Sequence, residues 1–314
     1  MKVMVTGAAG FIGSVLVDRL LAEGHAVDAV DDLSSGTLAN LADARALAGH
    51  LLTFHRLDVR STDLVALVAR RCPEVVYHLA ERNSPADPVV EAEVGVVGSL
   101  RVLEAARLGG VRKVVFATSA AAIYGELGTR DLPVKESRAQ RPTTPHGVAK
   151  RAVGDYLQVY RQTHDLEFTA LALASVYGPR QRASSGAVVA VFADRLCRCQ
   201  AASLHGDGRQ TRDFVFVDDV VDALARAATK GSGLLLNVGT GVETSVGALY
   251  DLVAATAGVD APPERTPARP GSLRRCVVNP QRAALHLGWA SWTPLDEGVG
   301  ATVAWHRSQV GSRR

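Results

Sequence analysis

The chain has 314 residues, 35 basic and 32 acidic, and is 47% hydrophobic, which is enough to bury a large core and, by length, to form two domains. A net charge of +3 without basic runs argues against a nucleic-acid surface, and no apolar run approaches the roughly 20 residues that span a bilayer; a small-molecule or protein partner and no membrane contact are expected. Cys72, Cys197, Cys199 and Cys276 form no CxxC pair, and Met1 leads directly into a strand with no apolar leader, so a reduced, cytoplasmic protein without metal is expected.

In chain order, Lys2 to Thr6 is a β-branched run that ends in Gly7-x-x-Gly10-x-x-Gly13, and Phe11, Val15, Leu16 and Leu20 follow at helical spacing. Strand, glycine turn and helix in succession predict an anion seat. Glycine tolerates positive φ, and its bare backbone lets N–H groups approach a pyrophosphate at the positive end of the helix. A second strand, Ala26 to Val30, ends in Asp31-Asp32. A carboxylate about 20 residues beyond such glycines is placed to accept both adenosine ribose hydroxyls and to repel a 2′-phosphate. NAD is therefore expected over NADP.

After a turn at Leu33 to Gly36, the spacing predicts a strand at Leu52 to Leu57 ending in Asp58-Val59, and a helix at Asp63 to Arg71. A strand at Glu74 to Leu79, a helix at Pro88 to Gly109 and a strand at Lys113 to Thr118 follow. Alternation at this interval implies an α/β fold with a doubly wound parallel sheet, whose ligands lie beyond the carboxyl ends of the strands. The second half reads as a helix from His146 to Thr163, a strand from Phe168 to Ala174, a loop from Val176 to Gln181 and a helix from Ala187 to Cys199. A strand at Phe214 to Val217, a helix from Asp218 to Thr229 and a strand at Leu234 to Val238 complete the regular part, and the proline-rich Ala261 to Pro270 reads as an extended connector. The looser rhythm beyond residue 175 predicts a smaller C-terminal lobe, with the binding site between the lobes.

Several stretches together resemble one family: Gly7 to Gly13, Asp31 to Gly36, His78-Leu-Ala80, Thr118 to Gly125, Val176-Tyr-Gly-Pro-Arg180, Gly206 to Asp213 and Arg269-Pro-Gly271. They are similar to the extended short-chain dehydrogenase/reductases, and most similar to the nucleotide-sugar epimerases and dehydratases of the UDP-glucose 4-epimerase type. The resemblance implies a Rossmann NAD domain over residues 1–175, with 213–240 returning to it. A lobe over 176–314 would mainly bind a nucleotide diphosphate sugar, most simply a UDP-sugar. It implies Gly7, Gly10, Phe11, Ile12 and Gly13 at the pyrophosphate, Asp31 and Asp32 at the ribose, Asp58 and Val59 at the adenine, and Leu79 and Ala80 beside the nicotinamide. Arg212 and Arg269 would grip the sugar-nucleotide diphosphate, with Ser119 and Ser175 near the sugar. A homodimer through the Pro88 to Gly109 and His146 to Thr163 helices is also implied.

The departures from the family pattern fall at the chemistry. Where the family carries Tyr-x-x-x-Lys, the chain reads His146-Gly-Val-Ala-Lys150; the Ser or Thr expected four residues before Tyr124 is Ala120. If that segment stays extended, Thr118 projects to the same side as Ala120 and Ser119 to the other. Ser175 and Gly95 stand in place of asparagine, Ser272 in place of aspartate, and Glu81 in place of a small residue. An imidazole, with a reference pKa of about 6.5 against about 10 for phenol, is a competent base near neutrality. Its ring is shorter than a phenol by roughly 2 Å, which calls for a bridging water. The catalytic set expected is thus His146 as acid/base, Lys150 as cofactor clamp and Thr118 as hydroxyl partner, with Glu81 and Glu126 as alternative bases. The rival readings are a dehydratase, whose usual Asp-Glu pair would fall on Ala121-Ala122, an epimerase of a preformed keto sugar, and a binding protein without turnover. His78, in an apolar strand, is expected to be a satisfied core residue.

Overall fold

A computed structural model describes residues 1–81, 87–268, 271 and 273–311. Its centre is a seven-stranded sheet, all parallel, formed by β1 (Lys2–Thr6), β2 (Ala26–Asp31), β3 (Leu52–Arg56), β4 (Val75–His78), β5 (Lys113–Ser119), β6 (Glu167–Leu173) and β7 (Leu234–Val238), in the order β7-β6-β5-β4-β1-β2-β3. Successive side chains of a strand face opposite ways, and the core divides accordingly. Val3, Val5, Val27, Ala29, Val75 and Tyr77 join one cluster with Leu16, Val17 and Leu20 of the Phe11–Ala22 helix; Met4, Val76, Val114 and Phe116 join another with Leu64, Leu67, Val102, Leu103, Val153 and Leu157. Both faces are covered, which is the condition for a parallel sheet. Each fully buried Leu or Val contributes about 1.5–3 kcal/mol, so Leu20→Ala, at a fully buried position, costs about 2–5 kcal/mol.

The order reverses beside β1, where β4 pairs on one side and β2 on the other. This switch opens a crevice at the carboxyl ends of β1 and β4. Two helices bring their N-terminal turns to the same edge. Thr144 caps the Pro145–His164 helix, its Oγ1 accepting from Gly147 N at 3.1 Å, with Pro145 at the first helical position, where a missing N–H costs nothing. Asp87 caps the Pro88–Ala92 helix by accepting from Val89 N and Val90 N at 3.0 and 3.2 Å. The long helix expected from Pro88 is divided: a wider π turn, Glu93–Gly98, separates Pro88–Ala92 from Ser99–Leu108. Ser99 Oγ donates to Gly95 O at 2.6 Å, a side chain inserted into the helical ladder.

In the second half, the loop expected from Val176 begins instead as a short strand, Ser175–Tyr177, paired with Phe214–Phe216. Three residues are too few to show a period. Within the expected connector, Glu264–Thr266 pairs with Ser203–His205. The helices Val188–Cys197, Val246–Ala257 and Leu295–Gly311 pack against one another. Asp213 ties this half to the end of β7: its buried carboxylate accepts from Thr240 N, Thr240 Oγ1, Gly241 N and Val278 N at 2.7–3.3 Å. Burial pushes the Asp213 carboxyl up, and these four donors oppose the shift. Among the described residues no helix is long and apolar enough to cross a membrane.

Candidate active site

A cleft of about 1110 Å³ lies along the carboxyl edge of the sheet, walled by the glycine turn, Asp31, Asp32, Asp58, Val59, Leu79, Ala80, Glu81, Thr118, Ser119, Ser175, Gln181 and Arg212. At Gly7, φ is +71°, and a Cβ there would lie 2.7 Å from the Leu79 and Ala80 backbone; one at Gly13 would lie 2.1 Å from Gly7 O. Glycine is required at Gly7 by contact and by dihedral angle, and at Gly13 by contact. The turn delivers the first N–H groups of the Phe11–Ala22 helix, which have no partner inside the helix, to the cleft wall at Phe11, Ile12 and Gly13.

The expected ribose acids also hold the turn together. Asp31 accepts from Ala9 N at 2.9 Å and Leu33 N at 2.8 Å; burial raises its carboxyl pKa against these bonds. Asp32 Oδ1 accepts from Ser34 N and Ser34 Oγ. Carboxylate oxygens have further lone pairs for a ligand. Asp58 forms a bidentate pair with Arg60, which also reaches Glu93 at 3.2 Å. His78 is the core residue expected. Ser99 spends its hydroxyl proton on Gly95 O, so it accepts from His78 Nε2 at 2.9 Å, and Thr6 Oγ1 donates to Nδ1 at 2.7 Å. Burial, then the nearby Lys150, lowers the His78 pKa to about 3, so the ring stays neutral.

The substituted positions converge. His146 Nε2 lies 3.2 Å from Glu81 Oε1 and Nδ1 lies 3.1 Å from Glu91 Oε2. Lys150 Nζ lies 2.7 Å from Glu81 Oε2, donates to Ala117 O at 3.0 Å, and sits 4.9 Å from the centre of the Phe116 ring. An ionised carboxylate only accepts, so both ring contacts are hydrogen bonds at once only when His146 carries two protons. Glu81 belongs to the cleft wall, and His146 and Lys150 stand directly against it. Burial raises the Glu81 pKa, but the facing Lys150 ammonium and His146 ring outweigh it, and the carboxyl rests below its ordinary value.

Thr118 Oγ1 is buried at the wall with no hydrogen-bond partner among the described residues. The chain turns helical at Ala120–Tyr124, and Ser119 caps that turn by accepting from Ala122 N at 3.4 Å. The alternation assumed for an extended segment therefore ends at Ser119, and Thr118 and Ser119 both reach the cleft. Tyr124 is no substitute base, since its hydroxyl donates to buried Asn237 Oδ1 at 2.9 Å. Glu126 is none either: it accepts from Arg274 N away from the cleft wall.

On the substrate side, Arg212 Nη1 and Nη2 donate to Thr211 O and Leu273 O at 2.7 and 2.8 Å, and the residue lines the cleft beside Ser175. Arg269 and Ser272 lie outside the described residues. Three contributors were missed in the sequence. Gln181 lines the cleft, its Oε1 without a partner among the described residues. Arg180, at φ +70°, pairs with Asp18 at 2.7 Å. Glu91, 2% exposed, was legible only as a lone carboxylate in the apolar Val89-Val90-Glu91-Ala92.

Comparison with known proteins places this geometry. The profile of the NAD dependent epimerase/dehydratase family matches residues 3–239. The chain belongs to this family. It is 45% identical over 315 residues to a UDP-glucose 4-epimerase of Mycolicibacterium smegmatis, covering 98% of this chain and 99% of the relative. The fold is similar to the crystal structure of UDP-glucose 4-epimerase with UDP-glucose from Thermotoga maritima, with a TM-score of 0.94, 36% identity and coverage of 99% of this chain and 100% of that one. It is similar also to the Thermus thermophilus UDP-glucose 4-epimerase complex with NAD, with a TM-score of 0.90, 36% identity and coverage of 98% and 99%. These matches bear out the family resemblance and NAD as the cofactor. The cleft fits that cofactor: a bare glycine cradle, an open helix N-terminus and an unpartnered buried hydroxyl line one trough.

Proposed function

We propose that the chain is an NAD-dependent 4-epimerase of a nucleotide diphosphate hexose, of the UDP-glucose 4-epimerase kind, in which His146 and Glu81 together replace the phenol of the usual site. The observation that carries the reading is the bridge itself: Glu81 lines the cleft and joins His146 Nε2 to Lys150 Nζ. A ring shorter than a phenol calls for an intermediary to the sugar, and Glu81 beside Nε2 can serve as one. The glycine turn and Asp31 would hold NAD in the cleft, where it would supply the acceptor and then the donor of the C4 hydride of the sugar. Glu81 takes the C4 hydroxyl proton and passes it to His146 Nε2; on return the proton runs the other way. Lys150 has three N–H groups, two of them engaged by Glu81 and Ala117 O, and offers the third to the cofactor ribose. Thr118 Oγ1 meets a sugar hydroxyl, Ser119 and Ser175 line the sugar's place, and Arg212 with Arg269 holds the diphosphate through guanidinium hydrogen bonds.

A second reading, a protein that binds both ligands and turns neither over, is favoured by the prior engagement of His146 and Lys150 with Glu81. Incubation with UDP-, GDP- and dTDP-sugars, followed by mass spectrometry and NMR, decides. An isobaric epimer supports the proposal. Loss of water means a dehydratase, and binding without product means the second reading.

We also propose a cytoplasmic homodimer. Its support is that Val89, Val97, Leu108, Val148, Tyr156 and Val159, on the two helical stretches expected to pair, are six of the eleven exposed large apolar side chains among the described residues. Light scattering on wild type and Tyr156→Asp tests it, with a dimer for the first and a monomer for the second expected.

A further inference from the structure

The relay makes one demand that Glu81 and His146 alone do not meet. For Nε2 to accept a proton and give it back, Nδ1 must keep its own, because a neutral imidazole has two tautomers and only one leaves Nε2 free. Nδ1 faces Glu91 Oε2 at 3.1 Å. Glu91 is 2% exposed and sits in the first turn of the Pro88–Ala92 helix, whose start Asp87 fixes by capping. We propose that Glu91 is a positioning residue: its carboxylate accepts Nδ1–H, turns Nε2 toward Glu81, and stabilises the imidazolium formed when Nε2 takes the sugar's proton. This rests on the His146–Glu81 reading above.

Three features favour a carboxylate in this role. An ionised carboxylate cannot donate, so it admits only the tautomer with a proton on Nδ1, whereas an amide can flip and donate. A buried charge needs a charged or strongly hydrogen-bonded partner, and the ring supplies one. The protons balance as well: one moves between the sugar hydroxyl, Glu81 and Nε2, while the Nδ1 proton stays and Glu91 remains ionised outside the cleft wall.

Among the described residues, charged groups on the elements packed against this helix have other partners. Lys150, on the same helix, faces Glu81. Glu93, on the π turn packed against this helix, pairs with Arg60. Glu104 of the Ser99–Leu108 helix bonds Arg107 and Tyr160. Lys113 of β5 donates to Lys230 O, and Glu167 of β6 pairs with Arg161.

The test combines turnover with a readout independent of it. In ¹⁵N-histidine-labelled wild type, NMR should show a protonated, hydrogen-bonded His146 Nδ1 that changes in Glu91→Gln; an unprotonated Nδ1 overturns the proposal. With UDP-glucose, Glu91→Gln should lose about tenfold or more in kcat with KM little changed, by the logic of an acid that orients a catalytic imidazole. The acidic limb of its pH–kcat profile should move to lower pH, because the imidazolium has lost its partner, and Glu91→Asp should recover part of the rate. Wild-type kcat and an unmoved limb in Glu91→Gln overturn the proposal. His146→Ala separates the two failures. If it keeps turnover, the functional reading falls and the positioning role with it; if it is inactive while Glu91→Gln is unaffected, only the positioning role falls.

Discussion

The two ends of the cleft are built on opposite principles. At the glycine turn the backbone does the binding, through Gly7 at φ +71°, where a Cβ would lie 2.7 Å from the Ala80 backbone. No other residue meets both demands, so the motif stands intact. At the other end side chains do the chemistry, and a proton does not record which residue carried it. His146, Glu81 and Glu91 arrive from three different segments, and each carboxylate lies within 3.2 Å of a His146 ring nitrogen. A backbone site tolerates little substitution; a side-chain site can be rebuilt from neighbours if the charges still balance.

This contrast is sharpest in what each end loses. His146→Ala should lower kcat by about 10²–10⁴-fold, the usual share of a general acid/base, with NAD affinity near wild type by calorimetry. Gly7→Ala should do the reverse damage, weakening NAD binding and lowering stability by about 1–3 kcal/mol from backbone strain, measured by urea unfolding. Loss of turnover without loss of NAD in Gly7→Ala would erase the distinction.

Between the two ends, Asp213 is a structural control. Its carboxylate accepts four hydrogen bonds from two later segments, and Asp213→Ala should cost about 1–3 kcal/mol by stranding buried donors.

Glu81 gives a pH test. Its folded-state pKa lies below the ordinary value because Lys150 and His146 outweigh its burial. A group depressed on folding contributes stability above its unfolded pKa and loses it as pH falls through the folded one. Wild type should therefore lose stability over that acidic window, and Glu81→Gln should show a flatter curve there in thermal melts. The effect is small, since the Glu81 side chain is 38% exposed and solvent screens it. The smallest expected change is at Thr118, whose buried hydroxyl has no partner among the described residues. Thr118→Val should leave the melting temperature unchanged or higher, and weaken sugar-nucleotide binding by about 0.5–1.5 kcal/mol, the worth of one hydrogen bond.

The sheet was legible because its strands are apolar runs at regular intervals, from Lys2–Thr6 to Leu234–Val238. The three-residue strand Ser175–Tyr177 was not, because three residues are too few to show a period and its partner Phe214–Phe216 is far away in sequence. At the site, the substitutions at His146, Ala120 and Glu81 were visible as departures, but their convergence was not. That depends on the Pro88–Ala92 and Pro145–His164 helices starting at the same edge of the sheet. Glu91 left almost no signal, since a single carboxylate in an apolar helical run looks like a surface position until the neighbouring helix is placed over it.

The central claim is that a carboxylate and an imidazole act as one acid/base unit. Its most direct test is a double-mutant cycle on the interconversion of UDP-glucose and UDP-galactose by NAD-saturated protein, comparing wild type, Glu81→Gln, His146→Ala and the double variant. Residues acting as a unit are non-additive, so the double variant should be no slower than the worse single one. Losses that simply multiply would show two independent groups and contradict the account.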